Sequence, residues 1–247
     1  MTTSLKVSKI PHSTIAHLRE AFLKESNIQF IFDKCHRYGW ADTYAFTSNE
    51  SVVGYGSVWG KVKRNERDSI VEFYLIPEYR YLAESFFATF VEFSRASWIE
   101  CQTNDRFLYP MFEVFAENRE TEAILFEDSN ETHWEMPGTW LSPREQSNPD
   151  DCQYVLVNDN VEIGEGGFML NYNFPYADMY YSVSERNQGK GFGTFFVQEL
   201  KRKIYKVGRV PAARCNATNE ISKATLLKAG MKICGWRMVG KLRQDPL

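Results

Sequence analysis

The sequence predicts a mixed α/β fold that occurs twice along the chain. Strand-like and helical stretches alternate through all 247 residues, and this length allows two small domains with an apolar core each. The second half repeats the order of the first, with a hairpin, a strand, a helix, a strand and a helix. A shift of 108 positions also places Leu75 on Val183 and Arg80 on Gln188. We therefore expect two tandem domains that share one architecture.

The predicted elements follow from apolar spacing and turn residues. In the first half, helices are expected over 12–25, 28–38, 81–94 and 107–116, and strands over 43–47, 51–59, 69–76 and 98–103. In the second half, strands are expected over 154–157, 161–170, 177–184, 210–215 and 233–242, and helices over 191–207 and 220–229. The stretch 127–151 is acidic and contains prolines, so we place the domain boundary there, between residues 1–138 and 139–247.

The composition excludes several function classes. The chain has 29 basic and 32 acidic residues, which argues against a broad nucleic-acid surface. The N-terminus lacks the apolar core of a signal peptide, and no stretch is long and apolar enough to cross a membrane. The five cysteines are far apart and form no CxxC pair, so neither a disulfide framework nor a metal centre is expected. We expect a cytoplasmic protein with reduced thiols.

A glycine-rich loop in the second half carries the clearest chemical signal. It reads Gln188-Gly189-Lys190-Gly191-Phe192-Gly193, follows a predicted strand and opens a predicted helix. Glycines let a backbone approach a ligand closely, and the first N–H groups of a helix are unpaired and attract anions. Lys190 and the preceding Arg186 add positive charge nearby. This arrangement predicts a site for a phosphate or pyrophosphate.

Two common phosphate-binding motifs do not fit this loop. The dinucleotide fingerprint GxGxxG fails in both registers, because Thr194 or Phe196 stands at the sixth position. A nucleotide P-loop ends in Gly-Lys-Ser/Thr, and that ending is absent after Gly193. The pattern that fits is Q/R-x-x-G-x-G/A, with Gln188, Gly191 and Gly193 at its defined positions.

With this pattern, the second half resembles the GNAT superfamily of N-acetyltransferases. Val183 stands five residues before Gln188, as in the family's strand-to-loop segment. The family's later helix segment is matched by Asn219, Ser222, Leu226, Gly230 and Met231. The resemblance covers residues 153–243 well and residues 40–118 loosely. It implies a mixed sheet splayed between its fourth and fifth strands, with acetyl-CoA or another acyl-CoA as co-substrate in the cleft and no metal.

The resemblance also implies which residues bind the acyl-CoA. They are Val183, Gln188, Gly189, Lys190, Gly191, Phe192, Gly193, Thr194, Asn219 and Ser222. Backbone amides from Gly189 to Thr194 would hold the pyrophosphate, and strand residues near Val183 would pair with the pantetheine amides. Asn219 would contact the pantetheine arm, and a helix-capping role is the alternative for this residue.

Acyl transfer to an amine needs a base, an oxyanion donor and often an acid. The resemblance puts the oxyanion donor on a backbone N–H near Val183. Asp178 is the candidate base, although strand alternation puts it on the face opposite Tyr181. The alternatives for the base are Glu162, Glu165 and a chain of waters.

The source of the acid is open in the sequence. The family's acid tyrosine falls on Leu226 in this chain, which has no proton to donate. Another tyrosine would have to serve, or solvent would protonate the leaving thiolate. The candidates are Tyr181, Tyr180 and Tyr109.

The first half has lost the glycine loop. At its counterpart, Tyr81 and Leu82 put bulk where glycine and lysine stand in the second copy, and Glu84 would repel a phosphate. We therefore expect one cofactor site, in the second half, which also lacks the family's first strand and helices. The first half is expected to complete the sheet or the acceptor pocket of the second.

Two classes of function fit these observations. One is an acetyl-CoA-dependent N-acetyltransferase that acts on a primary amine of a small molecule or peptide. The other is a non-catalytic acyl-CoA-binding or interaction module that has lost its acid and base. Both imply no nucleic-acid or membrane partner, and the chain is expected to be a monomer or a homodimer.

Overall fold

The computed structural model describes residues 5–145 and 148–243, and the chain divides into two compact units. Unit 1 comprises Met1–Ile28, Phe32–Glu122 and Trp236–Leu247. Unit 2 comprises Gln29–Ile31 and Ala123–Gly235. The chain passes between the units at Glu122–Ala123 and Gly235–Trp236 and on either side of Gln29–Ile31, whereas we expected one boundary in the stretch 127–151.

The described residues form a mixed α/β fold. The strands are β1 (Leu5–Ile10), β2 (Ala41–Ser48), β3 (Ser51–Trp59), β4 (Ser69–Leu75), β5 (Trp98–Gln102), β6 (Ala116–Asp128), β7 (Thr139–Pro143), β8 (Asp151–Asn158), β9 (Val161–Met169), β10 (Tyr176–Val183), β11 (Val210–Asn216) and β12 (Met231–Leu242). The α-helices are α1 (Ala16–Glu25), α2 (Phe32–Arg37), α3 (Ala83–Ser94), α4 (Leu108–Phe115), α5 (Phe192–Lys206) and α6 (Glu220–Lys228). Short 3-10 helices cover His12–Ile15, Pro77–Leu82 and Glu185–Asn187.

Unit 1 contains a sheet in the order β1, β2, β3, β4, β5, β12 and β6. Here β12 contributes the residues from Trp236 onward, and these pair antiparallel with β5. Aromatic side chains fill the core beneath α3, where the ring of Phe46 lies 5.2–5.7 Å from the rings of Phe73, Phe86 and Phe90. Such offset and edge-to-face pairs stabilise a core beyond the area that they bury.

Unit 2 contains a sheet in the order β12, β6, β11, β10, β9, β8 and β7. Strands β10 and β11 are parallel, and the other pairs from β11 to β7 and from β11 to β6 are antiparallel. Helix α5 packs on one face of this sheet, because every fourth residue from its start is apolar and buried. These residues are Phe192, Phe196, Leu200 and Ile204. The helix thus places its N-terminus next to the end of β10.

Three strands were not predicted from the sequence. In β1 only Val7 is buried, so the alternation is too weak to detect. Strand β6 begins with a charged stretch that is exposed from Glu117 to Thr121, which hides its strand character. Strand β7 lies inside the stretch that we expected to be irregular, and it pairs with β8. The structure thus has a strand directly before β8, in a stretch where we expected none.

The elements around the glycine loop agree with the predictions. The strand expected over 177–184 is β10, and the helix expected over 191–207 is α5. In addition, the second half of β6 pairs with β11, from Ala212 opposite Glu127 to Asn216 opposite Ala123. A segment that precedes residue 139 thus supplies a strand to the sheet of unit 2.

Candidate active site

Strands β10 and β11 separate at the point where the loop begins. Their parallel pairing runs from Tyr176 opposite Val210 to Met179 opposite Ala213, and no later pair between them occurs among the described residues. Strand β10 continues to Val183 against β9, whereas β11 continues against β6. The edge of β10 that faces β11 therefore has backbone N–H and C=O groups without a strand partner beyond Met179. Such groups need a partner, and an extended ligand can supply it.

The loop after β10 takes a shape that depends on glycine. Gly189 has φ +74° and Gly191 has φ +89°, which are left-handed conformations that other residues rarely adopt. A Cβ atom at either position would meet nothing within 4 Å, so both glycines face open space. Helix α5 begins at Phe192, directly after Gly191. Its unpaired first N–H groups and its positive dipole end therefore point to a space that a phosphate could fill.

A cavity of about 570 Å³ joins the separated strand end, the loop and α6. It is lined by Tyr181, Ser182, Val183, Gln188, Gly189, Gly191, Gly193, Thr194, Asn219, Ile221, Ser222, Ala224, Thr225 and Lys228. Most residues that we expected at the cofactor site are in this set. The other α6 residues of this set were not expected from the sequence, although Ile221, Thr225 and Lys228 recur at helical spacing and so share a face of α6.

Two of the expected cofactor residues do not line this cavity. Phe192 is buried in the core of unit 2, so only its backbone can face a ligand in the loop. Lys190 is exposed at the tip of the loop. Its side chain is free to reach a phosphate, but no described contact holds it there.

Gln188 ties the loop to β10. Its side-chain amide donates a hydrogen bond of 3.0 Å to the backbone carbonyl oxygen of Val183. This side chain thus holds the loop to β10, and Gln188 also lines the cavity.

Asn219 caps helix α6. Its side-chain oxygen accepts a hydrogen bond of 2.9 Å from the backbone N–H of Ser222. This is the capping role that we gave as the alternative for Asn219. The residue also lines the cavity, and its amide N–H groups can still donate to a ligand.

Tyr181 is one of the residues that line this cavity. Its phenol oxygen is buried and makes no well-formed hydrogen bond among the described residues, although the hydroxyls of Ser222 and Thr225 lie beside it. Burial raises the pKa of Tyr181, and these two neighbours oppose the shift. The hydroxyl is therefore protonated at neutral pH and has a proton to give.

Gly193 makes this arrangement possible. A Cβ atom on Gly193 would lie 3.3 Å from Cγ2 of Thr225 and 3.7 Å from Cε2 of Tyr181. A larger side chain would push α5 away from both. The third glycine of the loop thus serves close packing between α5, α6 and β10.

Asp178 lies outside the cavity. It is buried on the opposite face of β10 from Tyr181, and a guanidinium nitrogen of Arg214 is 3.6 Å from its carboxylate. That guanidinium also donates a hydrogen bond of 2.6 Å to the hydroxyl of Tyr172. Asp178 thus belongs to a polar group away from the loop, and its position does not favour the role of base that we expected.

A second cavity of about 370 Å³ reaches the same part of β10. It is lined by Arg144, Gln153, Tyr154, Glu165, Gly166, Tyr180, Tyr181 and Ser182. Tyr181 and Ser182 border both cavities. A donor in the first cavity and an acceptor in the second would therefore meet at these two residues.

The counterpart loop in unit 1 has a different backbone. The 3-10 helix Pro77–Leu82 leads directly into α3, and no residue from Pro77 to Ala83 has a positive φ. Tyr81 is exposed there and takes the place of the first loop glycine. The open, left-handed cradle of unit 2 is thus not repeated at this position.

Comparison with known proteins identifies the family. The acetyltransferase (GNAT) domain model matches residues 105–232, which is just over half of the 247 residues. The chain therefore belongs to the GNAT acetyltransferase family. It is an acyltransferase of the class that uses acetyl-CoA as co-substrate and amines as acceptors. Among curated proteins, none matches the chain.

Solved structures show the same fold over nearly the whole chain. A GNAT-family acetyltransferase from Colwellia psychrerythraea has a TM-score of 0.78 at 14% identity, covering 96% of this chain and 100% of that one. A tandem GNAT protein from the clavulanic acid biosynthesis pathway has a TM-score of 0.67 at 10% identity, covering 98% and 100%. A GCN5-related N-acetyltransferase from Sphaerobacter thermophilus has a TM-score of 0.59 at 11% identity, covering 98% of each chain. At these identities the likeness concerns the fold.

Two further findings concern the described residues only. No helix among them is long and apolar enough to cross a membrane. No group of three or more histidine, cysteine, aspartate or glutamate side chains among them could hold a metal ion.

Proposed function

We propose that unit 2 transfers an acetyl or other acyl group from acyl-CoA to a primary amine of a small molecule or peptide. The observation that carries this proposal is the separation of β10 from β11 directly in front of the glycine loop. One cavity thereby offers unpaired strand backbone to an extended chain and helix N–H groups to a pyrophosphate.

The residues of this cavity fit acyl-CoA. The backbone from Gly189 to Thr194 holds the pyrophosphate, and the edge of β10 near Val183 pairs with the pantetheine amides. The amide of Asn219 and the hydroxyl of Ser222 face the pantetheine arm. Bound acyl-CoA supplies a thioester whose carbonyl carbon an amine can attack.

A backbone N–H at the end of β10, near Val183, stabilises the charge that develops on the carbonyl oxygen. A fixed donor of this kind acts without reorganisation at the moment of reaction. The new bond joins the amine nitrogen to the carbonyl carbon, and the bond from that carbon to sulfur breaks.

Tyr181 is the acid in this proposal. Its buried hydroxyl gives its proton to the leaving sulfur and regains one from solvent. Leu226, at the position of the family's tyrosine, is buried and cannot do so. The amine loses its proton toward the second cavity, where the Glu165 carboxylate accepts it directly or through water.

The test is release of free thiol from acetyl-CoA in the presence of a panel of primary amines, with the acylated amine identified by mass. Turnover that needs the amine and disappears in Gly191→Asp supports the proposal. Tight binding of acetyl-CoA without turnover of any amine would instead support a non-catalytic acyl-CoA-binding module.

A further inference from the structure

We propose that unit 1 binds single-stranded nucleic acid on a basic surface that has aromatic rings between its charges. Six cations form this basic surface: Lys34, Arg37, Lys61, Lys63, Arg64 and Arg67. They come from α2 and from the segment between β3 and β4. The overall charge of -3 argues against a broad nucleic-acid surface, whereas the site inferred here is narrow. It takes no part in the acyl transfer proposed for unit 2.

Trp40, directly before β2, joins the two parts of the basic surface. Nζ of Lys34 and the guanidinium carbon of Arg64 each lie 5.5 Å from the centre of its ring. The ring of Tyr38 is 5.2 Å from the ring of Trp40, and the guanidinium of Arg37 lies 5.9 Å from the Tyr38 ring. Cations this close to an aromatic face are attracted to it. These contacts therefore gather charges from two segments into one patch.

Arg64 covers a buried indole. Its guanidinium carbon lies 4.1 Å from the centre of the Trp59 ring, which is 0% exposed, while Arg64 itself is exposed. A hydrogen bond of 2.8 Å from Arg64 to the carbonyl oxygen of Gly60 holds the side chain in place. A guanidinium group is planar and can stack with a nucleobase as well as with an aromatic ring. The exposed side of Arg64 thus offers both a charge for a phosphate and a plane for a base.

Lys61 is held by an aromatic ring in a similar way. Its Nζ lies 3.5 Å from the centre of the Trp98 ring. In the part of the chain that the structure describes, neither Lys61 nor Arg64 forms an ion pair with a carboxylate. Aromatic rings hold these two cations without neutralising them, so both can bind an anion.

Two carboxylates beside the basic surface pair with cations outside it. Asp33 lies 2.5 Å from Arg19. Asp42 lies 2.7 Å from Lys9, as well as 3.3 Å from Arg67. These carboxylates therefore neutralise little of the charge of the basic surface.

Two further carboxylates lie in the segment between β3 and β4. Glu66 is 3.6 Å from Lys63, and these side chains are 42% and 72% exposed, so water weakens the pair. Asp68 accepts a hydrogen bond of 2.8 Å from the backbone N–H of Lys61. Glu66 and Asp68 offset part of the charge of the six cations, and an excess of positive charge remains.

A single-stranded nucleic acid fits this combination better than an acidic peptide. Its phosphates pair with lysine and arginine, and its unpaired bases can stack on arginine and on aromatic rings. Tyr38, which is 38% exposed, offers such a ring within the same patch. An acidic peptide would use the charges but not the rings, and a duplex keeps its bases inside. Only a single strand can therefore use both.

Binding of a fluorescently labelled oligouridylate of about ten nucleotides tests the inference. Anisotropy measured between about 50 and 200 mM salt should give a Kd in the micromolar range that rises with salt. We expect Lys61→Gln and Arg64→Gln each to weaken binding about fivefold and to lower the slope of log Kd against log salt by about 0.7. Arg209→Gln is the matched control, because it removes a cation that lies 4.9 Å from the Phe174 ring in unit 2, and it should change neither quantity.

Arg64→Lys separates stacking from charge. Lysine keeps the charge but has no planar group, so the salt slope should stay the same while the affinity for oligouridylate falls about fivefold. Poly-L-glutamate with an equal number of charges has no bases. It should bind more weakly than oligouridylate, and Arg64→Lys should not change its affinity. Thermal denaturation checks that each variant is folded, and Lys61→Gln still tests the charge if Arg64→Gln is not.

Two results would overturn the inference. One is poly-L-glutamate bound as tightly as oligouridylate, which would assign the basic surface to an acidic protein. The other is an oligouridylate that does not bind, or that binds the wild type, Lys61→Gln and Arg64→Gln equally. Release of thiol from acetyl-CoA should be unchanged in these variants. A failure of this inference therefore leaves the proposed function of unit 2 untouched.

Discussion

The side-chain amide of Gln188 donates a hydrogen bond to the backbone carbonyl of Val183, five residues earlier, with a length of 3.0 Å. The same tether occurs 108 positions earlier, where Nε of Arg80 donates to the carbonyl of Leu75 at 3.0 Å. Both units therefore fasten the turn after this strand in the same way. Only unit 2 adds Gly189 and Gly191 in left-handed conformations, so the tether and the phosphate cradle are separate properties of the loop.

Removal of the tether should weaken donor binding without abolishing it. Gln188→Ala leaves the glycines in place but lets the loop move relative to β10. We expect the Kd for acetyl-CoA to rise about fivefold, since one hydrogen bond contributes about 1 kcal/mol. Calorimetry measures this change, and Asn187→Ala, which removes only a local contact with Ser184, is the control. An equal rise of Kd in both variants would mean that general loosening of the loop, and not the hydrogen bond to Val183, weakens binding.

A charge at Gly191 should eliminate donor binding. Gly191→Asp puts a carboxylate at the N-terminus of α5, where it occupies the proposed phosphate site and repels the pyrophosphate. We therefore expect affinity for acetyl-CoA to fall more than about 30-fold. Gly208→Asp is a matched control, because Gly208 also has a positive φ and open space at Cβ, but lies beyond the C-terminus of α5. Ala83→Asp, at the counterpart position in unit 1, should also leave affinity unchanged. Unaltered binding in Gly191→Asp would refute the placement of the site.

Loss of the Tyr181 hydroxyl should slow chemistry and spare binding. We expect Tyr181→Phe to lower kcat about 100-fold while the Kd for acetyl-CoA stays the same, because the acid acts only as the thiolate leaves. Burial raises the pKa of Tyr181, so wild-type kcat should fall only when the pH rises above the pKa of an ordinary tyrosine. The variant should lack this fall of kcat at high pH. Tyr205→Phe, whose hydroxyl binds Asp128 instead, is the control. If kcat of Tyr181→Phe stays within twofold of wild type, solvent and not Tyr181 protonates the leaving thiolate.

Two substitutions separate the roles of Asn219. Asn219→Ala removes the cap of α6 and should cost about 1 kcal/mol of stability. Asn219→Asp keeps an oxygen for the N–H of Ser222 but has no amide donor. We expect thermal denaturation to show a loss only in the alanine variant, and the Kd for acetyl-CoA to rise in both. Normal affinity in Asn219→Asp would limit Asn219 to capping.

A histidine in unit 1 should make the fold sensitive to acid. Burial, together with the neighbouring ring of His36 at 3.7 Å, lowers the pKa of His12 to about 4. The unfolded chain takes up this proton near pH 6.5, so stability is full above that pH and falls as the pH drops toward 4. His12→Gln should remove about 1–2 kcal/mol of this pH dependence in urea unfolding, after allowance for its partial exposure. His17→Gln, at an exposed site, should leave the profile as it is.

The backbone shape of the glycine loop and the elements on either side of it could be predicted from the sequence, for a physical reason. Gly189, Gly191 and Gly193 are needed for backbone shape and close approach, and such needs are visible as residue types at fixed spacing. Strand β10 and helix α5 also show clear apolar periodicity. The loop, its helix and the strand before it were therefore predicted together.

Features that depend on tertiary contacts were not predictable in the same way. The phenol of Tyr181 lies beside Thr225 because β10 and α6 meet across Gly193, and nothing local to either residue indicates this. Asp178 could be assigned to a face of its strand but not to its contact with Arg214. Strand β6 was missed because the exposed residues from Glu117 to Thr121 have no apolar pattern to detect.

The course of β6 and β12 has a consequence for the order of folding during synthesis. Unit 1 begins at the N-terminus, yet the strand that borders β5 comes from Trp236–Leu242, near the end of the chain. The residues of unit 2, which end at Gly235, have all left the ribosome before that strand emerges. Until then, the edge of β5 has no partner on that side and could pair wrongly with another chain. The unit that is translated first is thus the last to be completed.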